Sequence, residues 1–191
     1  MSKLKRALKN EYVKSAVFLA IVLGCIGVFW LGLRAYLRTD YPLLAVASGS
    51  MVPTLNVGDL IVVQGGLNVN DVIAEYETGD IVVFHKPRNP DELIVHRAVE
   101  SKSDGLVTKG DHNSSPDYWT VTDEELVGKV VSIVPYVGWI PLKVHEPIGM
   151  AIILLVIVVL ILLEFVIPAA MEKTKAKKSA QKATDSGYEP Q

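Results

Sequence analysis

A run of 19 uncharged residues, Ser15 to Leu33, is closed on each side by a cation, Lys14 and Arg34. At about 1.5 Å per helical residue such a run reaches roughly 28 Å, close to the hydrocarbon thickness of a bilayer. It predicts a transmembrane helix over residues 15–37. A cleavable leader is the competing reading, since Ala45-Val46-Ala47 has the small-x-small pattern of a cleavage site. That triplet lies about a dozen residues past the run, and the run is longer than an ordinary leader core, so an uncleaved anchor is favoured. A second run is uncharged from Pro147 to Leu163 and resumes after Glu164 as Phe165-Val166-Ile167. A domain of about 100 residues could not cover so apolar a helix on all sides, which predicts a second span over residues 147–170.

Charge sets the expected orientation. Residues 1–39 carry seven basic and one acidic side chain, residues 40–146 seven and sixteen, and residues 147–191 five and four. Lys3, Lys5, Arg6, Lys9 and Lys14 precede the first span, and Lys173, Lys175, Lys177, Lys178 and Lys182 follow the second. The positive-inside rule therefore puts both termini in the cytoplasm and the middle outside, against the weaker pull of Arg34 and Arg38. Glu164 falls toward the inner end of its helix, where its carboxylate reaches the interface. An acidic central region has the wrong sign for nucleic acid, which is excluded as a partner. Cys25, the one cysteine, lies within the first run and is assigned to packing.

Between the spans the pattern is that of a small antiparallel sheet, with turn residues spaced between short apolar stretches. Gly58-Asp59 opens Leu60-Ile61-Val62-Val63, and Gly79-Asp80 opens Ile81-Val82-Val83-Phe84, two turn-then-strand units of the buried kind. Val72, Ala74 and Tyr76 alternate with Ile73, Glu75 and Glu77, as on a half-exposed strand. Further strands are expected at residues 94–100, 106–109 and 130–134, and Thr122 to Glu125 has the spacing of a helical capping box.

Three polar segments interrupt this texture. Ser48-Gly49-Ser50-Met51-Val52-Pro53-Thr54 sets a serine where glycine permits a close turn and proline fixes the exit, a way to present a hydroxyl or simply to make a turn. His96 and Arg97 sit inside an apolar strand, where each needs a partner. Imidazole is the side chain suited to take a proton from serine near neutral pH, although a hydrogen-bonded core histidine has the same signature. Asp111 and Asp117 lie in a polar loop, either able to orient an imidazole and either explicable as a turn former.

Taken together these segments resemble type I signal peptidases, in the branch found in archaea, the endoplasmic reticulum and some Gram-positive bacteria. Ser48 to Leu55 with Gly58 to Val63 resembles the nucleophile box, Gly79 to Phe84 and Ile94 to Arg97 the next two, Thr108 to Asp117 the last, and Gly128 to Trp139 the closing segment. The resemblance implies Ser50 as nucleophile, His96 as general base where the better-known bacterial branch has lysine, Asp117 completing the triad, and Asp111 supporting the site. It also implies an oxyanion hole from the Ser50 amide and the Ser48 hydroxyl. His112, where this branch often carries asparagine, is a second and weaker base. Lys86 and Lys109 are the candidates for a serine–lysine mechanism, but neither holds the position of His96. On the residues alone the two aspartates are not told apart.

The expected architecture is mainly β: a basic cytoplasmic N-terminus over 1–14, a transmembrane helix over 15–37, an extracytoplasmic catalytic sheet domain over 38–146, a second transmembrane helix over 147–170, and a disordered cytoplasmic tail over 171–191. The implied reaction is removal of signal peptides from secreted precursors by cleavage after small residues, with no cofactor. The implied partners are those precursors, the lipid bilayer and the secretion translocon. Met51, Val52, Leu55 and Trp139 are candidates for apolar surface near the bilayer, against packing in the core. A metal enzyme is disfavoured because His85, His96, His112 and His145 form no H-E-x-x-H or close ligand pair. A noncatalytic membrane-anchored binding module with the same fold is the remaining alternative, opposed by the complete set of candidate residues.

Overall fold

In the computed structural model the described residues are 11–145, 150–151 and 154–160. Helix α1 (Glu11–Leu37) is followed by strands β1 (Leu43–Ala45), β2 (Leu60–Gln64), β3 (Ile81–Lys86), β4 (Asn89–Lys102), β5 (Gly105–Lys109), β6 (Thr120–Val121) and β7 (Leu126–Val134), then by a short helix α2 (Trp139–His145). The chain divides into two compact units at residue 139. In the second, residues 140–145, 150–151 and 154–160 are helical.

One helix among the described residues, Val17–Leu37, is long and apolar enough to cross a membrane, and its most apolar stretch is not buried by the rest of the molecule, although Leu37 at its end is. Most of the second expected span, Glu164 included, lies outside the described residues, as do residues 1–10 and the expected tail over 171–191.

The seven strands form one sheet in the order β1-β2-β7-β3-β4-β5-β6, every pairing antiparallel. β3 lies near the middle, and its apolar run has a reason on each face. Val83 enters a cluster with Val46, Met51, Leu55, Ile61 and Val63, while Val82 and Phe84 enter a second with Ala98, Leu106 and Val121. Strand periodicity sends successive side chains to opposite faces, so an apolar run without alternation means a sheet covered on both sides. Each fully buried Val, Leu or Phe here contributes on the order of 1.5–3 kcal/mol over its exposed form.

The twin Gly-Asp units work the same way twice. The Asp59 carboxylate accepts from the amides of Asn56 and Tyr136, at 2.9 and 3.3 Å, and the Asp80 carboxylate from the Ile73 amide at 2.9 Å and from Lys129 at 3.0 Å. Each aspartate thus ties a loop to the start of its strand.

One expectation is corrected. Residues 72–76 form no strand, because their amides go to scattered single partners rather than to a ladder: Ile73 donates to the Asp80 carboxylate and Glu75 to the Ala98 carbonyl, while the Gly79 amide closes a turn on the Glu75 carbonyl at 2.9 Å. Thr122 to Glu125 makes the one expected turn: the Leu126 amide returns to the Thr122 carbonyl at 3.1 Å, and the Thr122 amide and hydroxyl donate to the Glu125 carboxylate, which together hold that carboxyl below its ordinary range. The expected strands over 94–100, 106–109 and 130–134 are present and longer, while β1 and β6, three and two residues long, carry too little pattern to be read beforehand.

Candidate active site

Ser50 sits in the turn leaving β1. The Val52 amide returns to the Gly49 carbonyl at 3.2 Å and the Leu55 amide to the Met51 carbonyl at 2.9 Å, with Met51 and Leu55 buried as anchors. These two side chains are therefore core, not bilayer-facing surface. Val52 is half-buried, and Trp139 is 41% exposed with its indole against Gly58, where a β-carbon would collide at 2.1 Å.

Ser50, Ser48 and His96 line one groove, walled on one side by Leu44 to Ala47 and on the other by Glu92 to Val95. β1 is an edge strand, and β4 pairs with β5 only from Arg97 onward, so both walls offer backbone that the sheet does not use. The Ser48 and Ser50 hydroxyls are 3.4 Å apart.

His96 is held from beneath. Its Nδ1 lies 2.7 Å from Asp117 Oδ2, with both side chains only 8% exposed, and the ring meets Phe84 edge-on. The hydroxyl of Thr108, a fully buried residue, donates to the same Asp117 oxygen at 2.6 Å, and the Asp117 amide donates to the Thr108 carbonyl at 2.8 Å. With Nδ1–H donated to a carboxylate, Nε2 is left as the basic nitrogen.

Arg97, the next residue, points to the other face of β4 and finds Asp111. Its Nε and Nη2 bind the two carboxylate oxygens at 2.8 and 2.7 Å, and Nη1 donates to the Gly79 carbonyl at 2.8 Å. The Thr54 hydroxyl also donates to Asp111. Burial alone would push the Asp111 carboxyl up, but the hydrogen bonds from Arg97 and Thr54 and the nearby charges of Arg97 and Lys109 hold it below its ordinary 3.8. The hydrogen bond to Asp111 raises the Arg97 guanidinium in turn. Asp111 therefore does not touch His96.

The loop carrying both aspartates is fastened to the serine turn. The His112 amide donates to the Ser50 carbonyl at 2.9 Å, and a β-carbon on Gly110 would stand 2.7 Å from that same oxygen. His112 enters the site through its backbone, while its side chain is exposed and is not among the residues lining the groove. Lys109 lies over the Tyr76 ring, in a different cavity from Ser50, and Lys86 is paired with Glu92. His85 packs edge-on against Tyr41. Among the described residues no three His, Cys, Asp or Glu side chains gather as a metal site.

Sequence reasoning had no role for Thr54, Thr108 or Gly110. Thr108 carried one usable signal, a polar residue at the end of an apolar strand that runs directly into the aspartate loop.

The family model described as signal peptidase, peptidase S26, matches residues 10–111, a stretch that holds Ser50, His96 and Asp111 and stops six residues short of Asp117. The signal peptidase complex catalytic subunit SEC11 of Fusarium vanettenii is 32% identical over 138 residues, covering 66% of this chain and 77% of that protein. The corresponding subunit of Colletotrichum graminicola is 33% identical with the same coverage. That of Dictyostelium discoideum is 29% identical over 150 residues, 72% of this chain and 80% of its own length.

Proposed function

Because the chain belongs to the signal peptidase family, peptidase S26, we propose that it uses Ser50, His96 and Asp117 to remove signal peptides from secreted precursors. It is a serine endopeptidase, a hydrolase of the peptide bond. What supports this division of labour is one juxtaposition: the buried His96–Asp117 contact opens onto the groove that Ser50 lines.

In this reading the Ser50 hydroxyl attacks the scissile carbonyl as His96 Nε2 takes its proton. The developing oxyanion is met by the Ser50 amide and the Ser48 hydroxyl. The amine leaves with the proton from His96, and water, deprotonated by the same nitrogen, releases the acyl group. Asp117 keeps Nδ1 protonated and stabilises the imidazolium. An extended precursor segment laid in the groove can borrow unused backbone from β1 and β4, with Ala45 and Ala47 along its wall. In the same reading cleavage falls after a small residue, in keeping with the alanines that line the groove.

The chain is membrane-associated, with one possible span near its N-terminus. We further place a second span over residues 147–170, both termini in the cytoplasm and the sheet domain outside, on the strength of the flanking lysines. Precursor and enzyme then share the bilayer, which raises their effective concentration. The SEC11 relatives are subunits of a complex. Work beside further subunits or a secretion translocon is accordingly part of the proposal.

The test is cleavage of a radiolabelled secretory precursor by the purified chain in detergent, with N-terminal sequencing of the product. Ser50→Ala and His96→Ala are each expected to cost on the order of 10⁶ in turnover. Activity surviving Ser50→Ala would remove it as the nucleophile.

A further inference from the structure

The groove does not stay apolar. At His96 it opens onto Ser50, along Leu93 to Val95 it is hydrocarbon, and then it meets the carboxylate of Glu92. The ladder between β3 and β4 accounts for this intrusion. His85 faces Leu93 but the next residue, Lys86, faces Asn89, so residues 90–92 bulge out of the ladder and Glu92 is delivered to the groove wall.

Glu92 is held there. Lys86 Nζ donates to its Oε2 at 2.8 Å and Asn89 Nδ2 donates to the same oxygen at 3.1 Å. Neither of these donors reaches Oε1, which leaves an acceptor for a bound chain. The side chains of Lys86 and Glu92 are 31% and 47% exposed, so the pair is wet until something lies in the groove. The hydrogen bond from Lys86 keeps the Glu92 carboxyl below its ordinary range.

Glu92 lies four steps before His96 along β4, about 13 Å at 3.3 Å per residue. A precursor extended along this wall with its scissile bond at Ser50 brings the fourth or fifth residue before the cut beside Glu92. A leucine there would strip water from an ion pair and return no hydrogen bond, whereas serine, glutamine or lysine can donate to Oε1.

We infer that Glu92, fixed by Lys86 and Asn89, is a specificity residue that rejects apolar side chains four to five residues before the cleavage site and so sets where the apolar core of a signal peptide must end. The inference rests on the signal-peptidase reading, in which the groove holds the segment before the cut.

The experiment compares two precursors identical except for Ser or Leu at the fourth and fifth residues before the cut. Each is cleaved by the full-length chain in detergent, by Lys86→Met/Glu92→Leu, and by Glu92→Gln, which disturbs the hairpin least. Reading the ratio of kcat/KM values for the two precursors removes any general loss of activity. The wild type is expected to favour the serine precursor about fivefold, the double variant to lose or invert that preference, and Glu92→Gln to fall between. A wild type that cleaves both precursors equally, or variants that keep the wild-type ratio, would overturn the inference and leave the peptidase reading intact. A wild type that cleaves neither precursor would overturn the peptidase reading, and the inference with it.

Discussion

His96 and Arg97 are neighbours in sequence and opposites in use. Both are basic, both lie on β4, and each meets one aspartate from the same loop. Strand geometry sends them to opposite faces. On one face a titratable ring makes one hydrogen bond, to Asp117, and keeps its other nitrogen for the groove. On the other a guanidinium that does not deprotonate in practice spends its fork on Asp111 and on the Gly79 carbonyl. The first arrangement moves a proton, while the second binds β4, the aspartate loop and Thr54 into one piece.

If that contrast is right, damage to the two aspartates should differ in kind. Asp117→Asn leaves the shape but upsets the proton placement on the ring, and a loss of about 10⁴ in kcat is expected in precursor cleavage. The Arg97 side should instead read out as stability. Arg97→Met strands the Asp111 carboxylate, and with side chains 12% and 15% exposed the cost should be roughly 1–3 kcal/mol in denaturant unfolding, between surface and buried pairs.

The same pair predicts an acid limb. A carboxyl whose folded pKa lies below its unfolded value contributes stability that is complete above the unfolded value, about 3.9, and is lost as pH falls through the folded one. Arg97→Met should flatten the decline in stability below about pH 4, measured by denaturant titration across pH.

Thr108→Val tests the catalytic face more gently. It removes one donor from Asp117 and keeps the volume, so a drop in kcat on the order of tenfold is expected, with Thr108→Ser restoring most of it. The smallest effect should come from Lys109→Ala, which empties a site over Tyr76 and should leave substantial peptidase activity. Near-complete loss in a folded protein would revive a serine–lysine mechanism.

Much of this was open to reading from the chain alone because local chemistry and tertiary packing agree. The Gly-Asp-apolar units over 58–63 and 79–84 announced buried strands, and they are β2 and β3. The segment over 72–76 misled because its alternation is real while its Ile73 and Glu75 amides are taken by Asp80 and by the Ala98 carbonyl, and hydrogen-bond destinations cannot be read from hydrophobicity. The two aspartates were indistinguishable for a related reason. They are 14 and 21 residues from their basic partners, and only the fold decides which face of β4 each reaches. Thr108 and Gly110 stayed hidden because one acts through a single hydroxyl and the other through the absence of a side chain.

That absence has a mechanical consequence. With the Gly110 backbone pressed against the Ser50 carbonyl and the His112 amide bonded to it, the turn that presents the hydroxyl and the loop that presents the carboxylates cannot separate without breaking one identifiable bond. Solvent deuterium reaching the His112 amide would therefore time the opening of the reaction centre itself, giving a single backbone site that reports how often the machinery comes apart.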